Sequence, residues 1–174
     1  MKTTIRFLDQ GATREEAGSL GELLVDSVAG GASVGFGPGL EVTVAATWWR
    51  DSVAPRVGSG SVILLVAEIE NAIVGTVQLA FPSYPNGRRR AEIAKLLVHS
   101  AWRRKGVAEA LMRAAEEAAL AGGRVLLILD TETGSDAEKL YAKWGWVVAG
   151  VVPDYFIGSD GSLHPTTFMY RRLA

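Results

Sequence analysis

Polar and apolar side chains alternate along residues 3–9, through Thr4, Ile5, Arg6 and Phe7, and predict a short strand. Thr13 with Glu16 three positions later has the form of a capping box. Ala17, Leu20, Leu24 and Val28 then recur at helical spacing until Gly30-Gly31 closes the helix. A second helix is expected after Pro38 on the stripe Val42, Ala45, Ala46, Trp49 and Val53, with Pro55 interrupting it. From Ser61 the texture changes to three apolar segments, 62–69, 72–81 and 91–98. They are separated by Glu70-Asn71 and by the Pro-Asn-Gly within 82–87, which predicts an antiparallel meander.

The helical period returns over 106–121. Val107, Leu111, Ala114, Ala115 and Ala118 share one face, and Glu109, Arg113, Glu116 and Glu117 the other. Gly122-Gly123 ends that helix. The fully apolar run 125–129 reads as a strand, with Asp130 at its carboxyl end. Ser135 and Glu138 form another capping box, opening a short helix whose apolar face holds Ala137, Leu140, Tyr141 and Trp144, with Gly145 suited to its C-terminus. Residues 146–152 and 166–171 complete the pattern as strands. No repeat, low-complexity stretch or linker divides the chain, so the expectation is a single domain over 1–174 of α/β (α+β) class.

Composition narrows the function more than the fold. The chain has 174 residues, 48 % of them hydrophobic, with 18 Lys+Arg against 19 Asp+Glu. A net charge of −1 and a pI of about 6.1 argue against a nucleic-acid partner, whose phosphates call for a basic face. No apolar run approaches the roughly 20 residues that span a bilayer, and the start lacks a signal-peptide pattern, so a cytoplasmic protein without membrane contact is expected. The absence of cysteine excludes thiol nucleophiles, thiolate metal sites and redox pairs. The two histidines, His99 and His164, lack ligand spacing, so no metal is expected.

The most informative stretch is 96–108, LLVHSAWRRKGVA, in which an apolar strand ends at Val98 and a helix begins at Gly106 just after Arg103, Arg104 and Lys105. A helix N-terminus offers free amides and a positive dipole end, so this is either an anion cradle or a solvated basic turn. Gly31-Ala32-Ser33-Val34-Gly35 also has the spacing of a hydrolase nucleophile elbow. That motif needs a strand before it and a helix after it, whereas here a helix precedes and Pro38 follows. Ser33 is placed instead on an acceptor pocket or a turn.

The order of elements, together with Val98, Ser100, Arg103, Gly106 and Ala108 in the spacing V-x-P-x-x-R/Q-x-x-G-x-G/A, resembles the GCN5-related N-acetyltransferase (GNAT) family. Ser100 stands where the family usually has proline, and Arg104 where many members have glycine. The resemblance implies a central mixed, mostly antiparallel twisted sheet of about seven strands flanked by four helices, with a splayed pair of parallel strands. It implies acetyl-CoA as cosubstrate, its pyrophosphate on the amides of Arg103, Arg104, Lys105, Gly106, Val107 and Ala108. Its pantetheine arm would lie along Leu96, Leu97 and Val98, and Ser135 is grouped with these cofactor-binding residues.

Four further stretches, 30–36 (GGASVGF), 90–97 (RAEIAKLL), 129–138 (LDTETGSDAE) and 159–166 (SDGSLHPT), resemble a branch of that family, the tabtoxin-resistance acetyltransferases, which acetylate a toxic β-lactam amino acid. That resemblance puts the candidate general bases on Glu92 and Asp130 and a matching tyrosine on Tyr141. The chain departs from the branch at Pro153-Asp154-Tyr155, where Asp154 replaces a glycine.

Read from the residues alone, Glu92 opens a strand apolar but for Lys95, so it is either functional or ion-paired with Lys95 or a flanking arginine. Asp130 is a ligand-edge carboxylate or a turn cap, and Tyr141 a proton donor or a core tyrosine. The implied reaction is direct transfer. Glu92 or Asp130 deprotonates a primary amine that attacks the thioester, an amide near Leu97 or Val98 steadies the oxyanion, and Tyr141 protonates the leaving thiolate. The expected acceptor is a small-molecule amine, an amino-acid-like toxin or antibiotic among the candidates, in a pocket formed by Ser33, Phe36, Tyr155 and His164. A peptide or protein amine, a non-catalytic acyl-CoA-binding module and a homodimeric assembly stay open.

Overall fold

In the computed structural model, which describes residues 2–173, the chain runs β1 (Thr4–Leu8), α1 (Gln10–Glu15), α2 (Ala17–Ala29), α3 (Val42–Trp48), a π-helical turn (Trp49–Val53), α4 (Ala54–Gly58), β2 (Val62–Ile69) and β3 (Ala72–Ala80). It continues through β4 (Arg90–Val98), α5 (Val107–Ala121), β5 (Leu126–Glu132), α6 (Asp136–Lys143), β6 (Val147–Ile157) and β7 (Leu163–Arg172). The strands form a seven-stranded sheet in the order β1-β2-β3-β4-β5-β7-β6. Neighbours are antiparallel except β4 and β5, which α5 joins as a parallel crossover. That parallel contact consists of Arg90 with Leu126, Ala91 with Leu127 and Glu92 with Ile128, and beyond it the two strands part.

Strand alternation sends Leu65, Ala67, Val77, Leu79, Ala91, Ile93, Leu127 and Leu129 to the face covered by α5 and α6. Leu64, Val66 and Leu97 go to the face covered by α1 to α4. Ile93 and Leu97 are four positions apart and would share a face in a regular strand. They do not, because a bulge intervenes: Gln78 lies opposite Ala94 and Thr76 opposite Leu97, with Lys95 at φ +51°.

The four expected helices are present, two of them interrupted. The first is capped by Asp9, whose Oδ1 accepts the Ala12 amide at 2.8 Å, rather than by Thr13. Thr13 is buried inside α1 and donates its hydroxyl to the Asp9 carbonyl. Glu16 separates α1 from α2 and makes no side-chain cap, so the predicted capping box is not formed. Pro55 does not end the second helix. The helix passes through it as α4, because the wider π turn at Trp49–Val53 absorbs the missing amide and the ring's clash with the preceding turn.

Other boundaries shift outward. β5 continues past Asp130 to Glu132, and β6 and β7 extend to Ile157 and from Leu163. Long-range pairing with a neighbouring strand keeps these added residues extended, polar residues and prolines among them, which local apolar pattern does not register. Asp130 is thus an in-strand residue opposite Phe168, not a turn cap. On α6, Tyr141 is buried and Trp144 half-buried, whereas Ala137 and Leu140 are exposed, so its apolar face is narrower than the spacing predicts. Edge strand β6 exposes Val147, Val148, Val151 and Val152. No helix among the described residues is long and apolar enough to cross a membrane.

Candidate active site

At the end of β4 the chain makes a short 3-10 turn over Ser100–Trp102, its amide at Ala101 donating to His99 Nδ1 at 3.2 Å. Arg104 and Gly106 both take positive φ, 62° and 81°, which swings the backbone sharply into α5. The first bond inside α5 runs from the Ala110 amide to the Gly106 carbonyl, so the amides of Val107, Ala108 and Glu109 have no helical acceptor. Arg103, Arg104, Lys105 and Gly106 are exposed, Ala108 half-buried and Val107 buried. Arg103 donates from Nε to the Val98 carbonyl at 3.3 Å and packs against Gly30, where a Cβ would come within 2.7 Å of its guanidinium. Lys105 lies 4.4 Å over the Trp102 ring. Two of the three cations therefore brace the turn.

Next to this turn, β4 from Ile93 to Val98 has lost its β5 neighbour, which leaves one edge of Leu96, Leu97 and Val98 without a strand partner. An open strand edge leading to a helix N-terminus with uncommitted amides fits an extended ligand ending in phosphates.

Glu92 and Asp130 lie one position from Ile93 and Leu129, so their side chains leave the sheet on the face opposite α5, beside the gap. Both are exposed, and neither makes an ion pair among the described residues, so the alternative of a Glu92–Lys95 pair is not realised. Thr166 Oγ1 donates to Asp130 Oδ2 at 3.3 Å. Tyr141, 8 % exposed, packs between Trp144 and Trp146 with ring centroids at 6.0 and 5.8 Å. Burial first, and the Asp130 charge second, push its phenol well above the ordinary tyrosine range, so it keeps its proton at neutral pH.

Ser33, Phe36 and His164 come together around one cleft of about 120 Å³, with Pro38, Glu132 and Ser159 also on its wall. His164 bridges a carboxylate of β5 and one of the β6–β7 turn, its Nδ1 3.2 Å from Glu132 and its Nε2 3.0 Å from Asp160. Asp160 holds it above the ordinary imidazole range, opposed by desolvation and aided by Glu132.

Tyr155 is not part of this wall. It stands in β6 with its ring 5.7 Å from Phe168, and the connection between β6 and β7 is a turn confined to 158–162. Around it β6 bulges between Val152 and Phe156, with Asp154 at φ +51°. That is the left-handed region, which suits glycine and is tolerated by Asp, so the departure from the branch pattern keeps the backbone. Ser135 caps α6 by accepting the Glu138 amide at 3.1 Å, and its hydroxyl is 3.4 Å from that of Thr131.

Two residues outside the sequence reading, and one read there only as a possible partner of Glu92, lie beside the candidate site. Glu132 lines the cleft because β5 runs further than expected. Asp26 of α2 holds Ser100. Lys95, the one charged residue within 93–98, is half-buried at the bulge; that isolated polarity is the signal that singles it out.

A parallel pair that opens beside a helix N-terminus, with two carboxylates beside the gap, fits a group-transfer enzyme with a phosphate-bearing donor. Residues 60–148, about half of the chain, match the family model for the acetyltransferase (GNAT) domain, and the chain belongs to that family. Its fold is that of solved relatives. The N-acetyltransferase from Staphylococcus aureus Mu50 matches with a TM-score of 0.80 at 17 % identity, covering 100 % of both chains. The ribosomal-protein-alanine N-acetyltransferase from Brucella melitensis matches at 0.77 and 22 %, covering 98 % of this chain and 99 % of that one. The protein yncA of Salmonella typhimurium, solved with its cofactor acetyl-CoA, matches at 0.79 and 20 %, covering 100 % and 95 %. The protein is thus an acyltransferase of the GNAT family with acetyl-CoA as cosubstrate.

Proposed function

We propose that residues 1–174 act as a single cytoplasmic N-acetyltransferase domain that moves an acetyl group directly onto the primary amine of a small, amino-acid-like molecule. The observation that carries this reading is the cleft of Ser33, Phe36 and His164, whose volume of about 120 Å³ suits a small acceptor better than an extended peptide. Three of the four stretches that resemble the tabtoxin-resistance branch, 30–36, 129–138 and 159–166, contribute residues to its wall. That convergence supports a toxin- or antibiotic-like amino acid as acceptor.

Acetyl-CoA supplies the acetyl group as a thioester. The amides of Arg103 to Ala108 hold its phosphates, and the free edge of Leu96, Leu97 and Val98 holds its arm. Glu92 and Asp130 stand beside the gap and receive the proton of the acceptor ammonium, directly or through water. Tyr141 keeps its own proton for delivery to a leaving thiolate. With no cysteine in the chain, an acyl-thioester on the enzyme is excluded and transfer is direct.

The test is thiol release from acetyl-CoA with panels of amino acids, simple amines and peptides. Turnover confined to small amines supports the reading, and turnover confined to peptides replaces the acceptor class. Tight acetyl-CoA binding with no turnover on any panel, and no effect of Glu92→Gln, would leave an acyl-CoA-binding module instead.

A further inference from the structure

The reaction described above uses two carboxylates and a phenol and leaves one half-buried charge without a task. Lys95 sits on the β4 bulge at φ +51°, half-buried, with its ammonium 5.7 Å from the centre of the Trp48 ring. Trp48 meets Phe36, a wall residue of the acceptor cleft, edge-on at 5.2 Å. A Cβ on Gly35 would lie 3.8 Å from the Lys95 Nζ, so the ammonium is directed at the 30–36 segment that lines the cleft. Among the described residues it has no carboxylate within ion-pair distance and no hydrogen-bond acceptor. Burial lowers its pKa, Asp130 and Glu92 pull it back up, and Arg56 of α4 lowers it further, so these are the charges that face it.

A desolvated ammonium without a counter-ion costs stability unless a ligand supplies one. A second donor on the same sheet face is also unpaired. Gln78 lies opposite Ala94 and is 2 % exposed, and its Nε2 has no acceptor. We infer that Lys95 is the anchor for a carboxylate on the acceptor, so that the substrate class is a free amino acid rather than a simple amine or an amide-capped residue.

The charges around the site decide between anions. Glu92, Asp130 and Glu132 all lie on this side of the molecule. A monoanionic carboxylate beside an ammonium meets one lysine and two carboxylates in complementary order, whereas a phosphate dianion would add to an acidic surrounding. The bulge is what allows the recognition: it turns a residue of a central strand out of register and lets one strand present Glu92 to the amine and Lys95 to the acid.

This inference rests on the acceptor being a small amine, and its test separates the two. Thiol release is measured for each amino acid against its own carboxamide. Independently of turnover, binding of the N-acetyl amino acids and of their amides is measured by calorimetry in the presence of coenzyme A. The native enzyme is expected to favour the acid over the amide by about ten- to a hundredfold in kcat/KM and in product affinity, the loss typical of one charge-assisted hydrogen bond. Lys95→Met is expected to abolish that preference through the acid, with the amide losing far less, and Lys95→Arg to restore part of it. Equal use of acid and amide by the native enzyme, or an equal loss of both in Lys95→Met, overturns the anchor while leaving amine acetylation standing. Absence of all turnover overturns the transfer reading, and the calorimetric preference then still decides the role of Lys95.

Discussion

Asp26 Oδ2 accepts the Ser100 amide at 2.7 Å and its Oδ1 accepts the Ser100 hydroxyl at 2.7 Å, which fastens α2 to the turn that leads into α5. A proline at this position would have no amide or hydroxyl to give, so the bidentate contact depends on the serine. Burial pushes the Asp26 carboxyl up, and the two Ser100 bonds, with His99 and Arg103 behind them, pull it further down, below the ordinary aspartate range. Its stabilising contribution is therefore full above the unfolded value of 3.8 and lost as pH falls through the depressed folded value. Asp26→Ala is expected to cost about 1 kcal/mol and to raise the KM for acetyl-CoA several-fold, with the acceptor KM changing less. Urea titration and steady-state kinetics check both.

Removing either carboxylate at the gap should act on the chemical step. Glu92→Gln and Asp130→Asn are expected to lower kcat, the more important base by about a hundredfold or more and the other by less, while acetyl-CoA affinity holds. Both are exposed in-strand residues, so melting temperatures should move little. Single-turnover kinetics of the two variants, alone and combined, rank them.

Tyr141→Phe keeps the ring between Trp144 and Trp146 and removes only the hydroxyl. The expected result is a fall in kcat of about tenfold or more with near-native stability. A leaving group more acidic than coenzyme A should need the proton less and recover part of the rate, which acetyl thioesters of graded thiol acidity will show.

The His164 bridge predicts a pH dependence. Its folded pKa is raised by Asp160 and Glu132, so its contribution is present in full below the unfolded value of 6.5 and lost as pH rises through the raised folded value. Asp160, held at about 2 by the Ser162 amide and hydroxyl and by His164, stays ionised throughout that window. Melting curves of the native protein and of His164→Gln between pH 5 and 9 should differ most at the acid end and converge at the alkaline end.

Gly75 lets α5 come down onto the sheet. A Cβ there would meet the Leu97 carbonyl at 2.9 Å, Leu111 Cδ1 at 3.0 Å and Val107 Cγ1 at 3.1 Å. Two of these belong to α5 and one to β4, the elements on either side of the basic turn. Gly75→Ala is expected to destabilise the fold by about 1–3 kcal/mol and to weaken acetyl-CoA binding, measurable by urea denaturation and calorimetry.

Local chemistry was enough for the order of elements. The 2.0 and 3.6 residue periods reflect which side chains meet the core, so the meander, α5 and the apolar β5 follow from the pattern of 62–129 alone. The start of α5 just after Arg103, Arg104 and Lys105 was legible for the same reason, because a helix start with basic residues ahead of it is written within a dozen neighbouring positions.

What depended on distant partners was not. The N-cap moved from Thr13 to Asp9, and Pro55 stayed inside a helix through a π turn, because backbone groups can be satisfied in more than one local way and packing selects among them. β5, β6 and β7 lengthened through pairing with strands up to tens of residues away. The bulge that sends Ile93 and Leu97 to opposite faces follows from the register between β3 and β4, and no reading of β4 by itself contains it. Residue types thus defined the basic turn and the free amides at the start of α5, since these are contiguous in the chain. The cleft of Ser33, Phe36, Glu132 and His164, with Lys95 beside it, draws on four separate segments and exists only once the sheet has brought those segments together.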